Sequence, residues 1–149
     1  MVQGPGAKIA HRYRAQVAAL PVRHIAGGLQ VLLISSRETR RWIIPKGWPM
    51  KGRKDHQAAA CEALEEAGVS GKVHKHPLGA FTYQKRLLTG VQPCRVMVYR
   101  LDVEKEWVSW REKDQRRRAW MTPAAAAEQI IEPGLARLIR GLLPKQTLA

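Results

Sequence analysis

Three carboxylates stand at helical spacing in this chain. Glu62, Glu65 and Glu66 occupy positions i, i+3 and i+4 of the segment PKGWPMKGRKDHQAAACEALEEAGV, which begins at Pro45. An α-helix advances about 100° per residue, so the three side chains share one face. Ala60, Ala63, Leu64 and Ala67 fall on the other side and form the expected buried stripe. Crowded carboxylates repel one another, and a divalent cation relieves that repulsion. Hard cations such as Mg²⁺ prefer oxygen ligands, keep several waters, and bind together with substrate phosphates. The spacing therefore suits metal-assisted phosphate chemistry. A Glu-rich face alone also suits plain solvent exposure, so the flanking residues must decide.

The flanks are specific. Gly47 opens a Pro/Gly-rich loop, Gly52 sits late in it, and Gly68-Val69 supplies the glycine that favours a left-handed helix end. In register, Gly47, Glu62, Ala63, Glu65, Glu66, Gly68 and Val69 resemble the Nudix box, G-x5-E-x7-R-E-U-x-E-E-x-G-U with U aliphatic. The preceding Pro45-Lys46 is also common in that family. Two positions depart from the pattern: Arg53 stands at the first Glu of the box, and Cys61 at its Arg. Both members of one supporting pair have changed together, which leaves no orphan charge.

The resemblance covers roughly Arg14 to Leu143 and implies an α/β (α+β) fold. That fold is a Nudix-type α/β/α sandwich with a mixed sheet, a loop-helix carrying the box, and C-terminal helices. It implies Mg²⁺, with Mn²⁺ as a substitute, held by Glu62, Glu65 and Glu66 and more weakly by the Gly47 carbonyl. The implied reaction is hydrolysis of a phosphoanhydride by water. Glu62, Glu65 and Glu66 form its catalytic group, and Glu112 in a later charged loop is the distal candidate for general base. Lys46, Lys51, Arg53, Arg37, Arg41, Lys85 and Arg86 are the candidates for neutralising substrate phosphate. The general likeness is to hydrolases of diphosphoinositol polyphosphates and diadenosine polyphosphates. Arg53 and Cys61 keep a second reading open, a non-catalytic polyanion- or RNA-binding module on the same scaffold. Trp42, Trp48, Phe81 and Tyr83 suit either base stacking or core packing.

Charge agrees with a polyanionic partner. The chain carries 26 Lys and Arg against 12 Asp and Glu, a net charge of +14. A strongly basic surface concentrates negative ligands by electrostatic steering. A phosphorylated small molecule ranks first and nucleic acid second, because no helix-turn-helix or RNA-stacking motif is visible. No long apolar run suits a membrane span, and residues 1–16 lack the apolar core of a secretory signal. Two cysteines, Cys61 and Cys94, give no disulfide framework, so a reducing cytoplasm is the expected compartment. His74 and His76 suit one exposed side of a strand rather than a metal site.

The remaining elements must position the box. Residues 1–13 read as a loose basic arm, 14–143 as one domain and 144–149 as a tail. Ala15–Val22 and Leu29–Ser35 read as strands of a hairpin turned at Gly27-Gly28, and Trp42–Ile44 as a short strand entering the loop. Asp55 is the expected N-cap of the box helix. Further strands are expected at Gly71–Leu78, Ala80–Leu87, Arg95–Val103 and Arg118–Met121. Two helices are expected at the end, one opened by Pro123 and running to Ile130, the other spanning Leu135–Leu143.

Overall fold

The computed structural model describes residues 12–142. The expected tail lies outside these residues, as does the expected basic arm apart from Arg12 and Tyr13. A mixed sheet of eight strands forms the middle layer: β1 (Arg14–Ile25), β2 (Gly28–Ser35), β3 (Trp42–Ile43), β4 (Lys46–Gly47), β5 (Val69–Val73), β6 (Gly79–Leu87), β7 (Gly90–Glu106) and β8 (Arg118–Met121). The main path runs β3-β2-β1-β7-β5, with β4 on β1, β6 on β7 and β8 on β2. The one parallel pairing is β1 with β7, from Arg14 opposite Cys94 to Val22 opposite Asp102. The other strand pairs are antiparallel.

The period-two alternation of β1 builds both faces of the sheet. Ala18, Leu20 and Val22 point to one core, together with Val31, Leu33, Val96 and Val98. Val17 and Ala19 point to the other, together with Leu32, Ile34, Tyr99 and Leu101. The first core is covered by α2 (Pro123–Gln129) and α3 (Pro133–Arg140), through Ala126, Ala127, Leu135, Ala136 and Ile139. The second is covered by α1 (Asp55–Glu62) and the turn that follows it, through Ala58, Ala59, Ala63 and Ala67. A central strand buried on both faces is therefore the platform for the box. Each fully buried Leu, Val or Ile contributes roughly 1.5–3 kcal/mol. The α/β/α sandwich follows.

Several sequence expectations are corrected here. Asp55 is the first residue of α1; the N-cap is Lys54, whose N–H donates to Gln57 Oε1 at 3.0 Å. The segment expected as a strand to Leu78 ends at Val73, and β7 runs 17 residues through Pro93 without a break. β7 pairs with β1 only from Cys94 onward, so at Pro93 one edge of the strand is open, the setting in which a proline is tolerated. The last helix, α3, begins two residues earlier than expected, with Pro133 in its first turn, and ends at Arg140 with Gly141 as its C-cap. Thr122 caps α2, its Oγ1 accepting from the Ala125 N–H at 3.1 Å.

Candidate active site

The loop that carries the first glycine of the box is fixed to the central strand. Lys46 and Gly47 form β4 against Ala18 and Val17, and the Ala19 N–H donates to the Pro45 carbonyl at 3.0 Å. This pairing aims the loop at the last turn of α1. A Cβ on Gly47 would overlap the Glu62 carboxylate, so only glycine admits that carboxylate against the loop backbone. The Lys46 N–H donates to Glu66 Oε1 at 3.3 Å.

The box helix is not a uniform α-helix. Ala63–Ala67 forms a π turn, in which the Gly68 N–H reaches the carbonyls of both Ala63 and Leu64. Gly68 closes it with φ 66°, and the Trp110 ring packs where a side chain would stand. The Trp110 Nε1–H donates to the Glu66 carbonyl at 3.2 Å, and Arg118 donates to the Ala67 and Gly68 carbonyls at 2.9 and 3.2 Å. The helix end is thus fully clasped.

The π turn alters the expected face. Ala60 is only half-buried and Leu64 is exposed, whereas Ala58, Ala59, Ala63 and Ala67 are buried. Glu62 and Glu66 are both buried and neighbour each other. Glu65 is less buried, its Oε1 lying 3.4 Å from Arg111 Nη1, and its charge still reaches Glu62. Of the three carboxylates expected on one face, Glu62 and Glu66 are buried and Glu65 stands half-buried beside them. Local π geometry is common at functional sites.

Burial sets the electrostatics. Loss of water pushes the Glu66 carboxyl up to about 8, with Arg116 opposing the shift and Glu62 adding to it. Glu62 is raised by burial first and by the neighbouring Glu65 second. Arg116 is buried beside them, its Nη2 3.7 Å from Glu66 Oε1 and its Nε donating to Glu112 Oε1 at 2.8 Å. The Glu112 N–H donates to the Glu65 carbonyl at 3.1 Å. Glu112 is thus placed beside the box by its own backbone and by Arg116.

Two adjacent buried carboxylates have the oxygen-donor chemistry of a divalent-cation site. Among the described residues no third acidic, His or Cys side chain closes the group. Water and phosphate oxygens would complete such a site. The pair fits such an ion. Gly47 lies directly against it.

Beside the pair opens a cleft of about 410 Å³ whose lining includes Arg37, Arg41, Lys46, Lys85, Arg86 and Arg116. Five of these, all but Arg116, were singled out in the sequence, and the fold brings those five together from three separate segments. Burial pulls the Lys46 pKa down, while Glu66 and Glu132 oppose that. Lys51 and Arg53 do not join the cleft. Lys51 is exposed in the loop, and the Arg53 guanidinium contacts the Cys61 sulfur over a different hollow, shared with Gln57, Ala60 and Val73. The two departures from the box pattern thus contact each other and still tie loop to helix. Phe81 is core, and Tyr83 lines the cleft with its hydroxyl donating to Gln16 at 2.7 Å. Arg117 lies 5.4 Å from the Trp42 ring centre and Arg14 lies 4.2 Å from that of Trp48. Arg116 and Glu132 were missed as individuals; the spacing Glu112–Arg116, i to i+4, was the one legible signal for the first.

The chain matches the NUDIX domain family model over residues 12–142. It is 34% identical over 107 residues to Nudix hydrolase 13, mitochondrial, of Arabidopsis thaliana, covering 67% of this chain and 52% of that protein. To Nudix hydrolase 21, chloroplastic, of the same plant it is 31% identical over 120 residues, 78% of this chain and 59% of the other. The chain spans about half the length of the curated relatives it matches. Among solved structures, a binary complex of the C. elegans Ap4A hydrolase superposes with a TM-score of 0.63 at 20% identity, over 85% of this chain and 93% of that one. The NUDIX domain of Shewanella oneidensis NrtR, complexed with ADP ribose, does so at 0.65 and 14%, over 93% and 98%. These structures share the fold. By the family model and the plant relatives, this chain belongs to the Nudix family.

Proposed function

We propose that the chain is a Mg²⁺-dependent phosphoanhydride hydrolase acting on a phosphate-dense small molecule of the diphosphoinositol polyphosphate or diadenosine polyphosphate type. One observation carries this reading: a buried Glu62–Glu66 pair opens beside a cleft lined by six cations. Nudix hydrolases generally use divalent ions, and the pair has the donor chemistry for one. Mg²⁺, when bound, supplies charge neutralisation and Lewis acidity at the phosphate. Glu62 and Glu66 hold it, with Gly47 keeping Glu62 in place. Arg37, Arg41, Lys46, Lys85 and Arg86 orient the phosphates and offset their charge, which lowers the barrier to attack by water. Glu112, held by Arg116, is the group outside the box best placed to take a proton from that water.

The wide spread of cations with Tyr83 as the one aromatic in the cleft favours phosphate over base recognition. A binding-only reading is favoured by the incomplete carboxylate group and by the Arg53–Cys61 replacement. The two separate in one experiment. The purified protein is incubated with Mg²⁺ and a panel of diphosphoinositol polyphosphates, diadenosine polyphosphates, ADP-ribose, nucleoside triphosphates and 5′-triphosphorylated RNA, with products followed by mass. Cleavage of the phosphate-dense members is the expected outcome. Tight binding with no cleavage of any member would leave only the binding reading standing.

A further inference from the structure

Six cations line the cleft, and among the described residues only two of them form ion pairs with carboxylates. Arg116 is bound to the box through Glu66 and Glu112. Arg41 is bound instead to Glu132, a residue outside the box and 91 positions away, with Nη1 lying 2.9 Å from Oε2. We propose that Glu132 is a positioning residue: through the Arg41 ion pair it presents the Arg41 guanidinium to substrate phosphate in the cleft. The inference rests on reading that cleft as the phosphate-binding part of the active site.

The geometry is unusual for a brace. Glu132 is only 8% exposed and stands at the N-cap of α3, yet its carboxylate makes no bond to that helix. Glutamate is not among the residues that favour an N-cap, so capping does not account for this one. Here the side chain turns to Arg41, leaving Glu132 Oε1 and Arg41 Nη1 buried without a hydrogen-bond partner. The pair is close but misaligned, so its hydrogen-bonding capacity is unspent. Buried unpaired polar atoms are costly, and a native protein keeps them where something else uses them. Arg41 itself is 30% exposed by its side chain and lines the cleft. A guanidinium has five N–H donors, so one edge faces Glu132 while the others remain for a phosphate. The loop that carries Arg41 is held by Ser36, whose N–H donates to the Arg41 carbonyl at 2.7 Å. Backbone and side chain are both fixed before substrate arrives, which reduces the ordering cost of binding.

The test uses equilibrium binding, separate from turnover. Inositol hexakisphosphate, which has no anhydride to cleave, is titrated calorimetrically into the whole chain in EDTA at fixed salt. Glu132→Gln, which keeps the shape and removes the charge, weakens binding by about tenfold. In an Arg41→Gln background the same change adds less than about twofold, because Glu132 acts through Arg41. An unchanged affinity in Glu132→Gln, or an equal loss in both backgrounds, overturns the proposal. The exchanged pair, Arg41→Glu with Glu132→Arg, guards against a folding artefact. It restores the ion pair and the melting temperature but not the affinity, since the cation no longer lines the cleft. Full recovery of affinity would show that the pair only braces the fold. A wild-type chain that does not bind the probe overturns the phosphate-dense reading of the cleft itself, and the role of Glu132 with it.

Discussion

Gly47→Ala separates the chemistry of the site from the stability of the fold. A Cβ at that position would stand 2.5 Å from Glu62 Cδ and 2.7 Å from Oε1, where ordinary contact begins near 3.4 Å. The carboxylate must retreat by about 1 Å. It can do so, because it is the far end of a flexible side chain and the Gly47 backbone is not in the left-handed region. The fold therefore stays intact. Alanine also narrows the unfolded ensemble, which stabilises by about 0.4–1 kcal/mol at a compatible position and offsets the cost of moving Glu62. Catalysis has no such offset. A misplacement of about 1 Å in a catalytic constellation costs on the order of a hundredfold in rate, or about 2.7 kcal/mol of barrier. The assay pairs steady-state hydrolysis in Mg²⁺ with thermal unfolding. A hundredfold fall in kcat with a melting temperature within about 2 °C of wild type is expected. Adding Glu62→Asp, one methylene shorter, recovers part of the rate. A rate within threefold of wild type would refute the reasoning, because the Gly47–Glu62 contact would then position nothing.

Glu66 makes the metal-free protein sensitive to pH. Its folded pKa of about 8 lies above the ordinary 4.5, so between those values the folded state holds a proton that the unfolded state has released. Stability then falls as pH rises across that window, by on the order of a few kcal/mol. Melting curves in EDTA should decline from pH 5 to pH 8, and Mg²⁺ should restore stability most at the upper end; a flat or rising profile in EDTA contradicts this. Arg116→Ala removes the buried partner of Glu66 and Glu112 and is expected to destabilise by about 3 kcal/mol in denaturant titrations at pH 8. A loss below about 1 kcal/mol would mean that the ion pairs are solvent-screened. Gly68→Ala forces a side chain into φ 66° and against the Trp110 ring, and should cost about 1–3 kcal/mol with a disturbed Trp fluorescence spectrum.

How much was legible in the chain depends on what carried the signal. β1 and β2 were readable as short apolar runs, the mark of strands buried on both faces, and the middle of β7 by its alternation. The box itself was readable as glycines and glutamates in register. What was not readable was set by tertiary contact. The two-residue β4 has no pattern of its own and exists because β1 offers its edge. The π turn is clasped at its end by Trp110 and Arg118, 44 and 51 residues downstream of the carbonyls they bind, so the outward turn of Leu64 was hidden. Arg37, Arg41, Lys46, Lys85 and Arg86 were named for charge alone, and their assembly in one cleft depends on strand order. Lys51 and Arg53, named on the same ground, fall outside it. Glu132 carried no sequence signal: a lone glutamate before Pro133 belongs to no pattern, and only the fold sets its carboxylate against Arg41.

The account turns on the buried Glu62–Glu66 pair as the divalent-ion site of a hydrolase. The measurement that tests this most directly is the Mg²⁺-dependent rate of phosphoanhydride cleavage by Glu66→Gln beside wild type, with both shown to be folded by circular dichroism. The substitution keeps shape and removes the charge that binds the ion. Loss of at least a thousandfold in rate, on the order of 4 kcal/mol of barrier, is predicted. Near-normal cleavage in the variant would contradict the account and place the metal and the chemistry elsewhere.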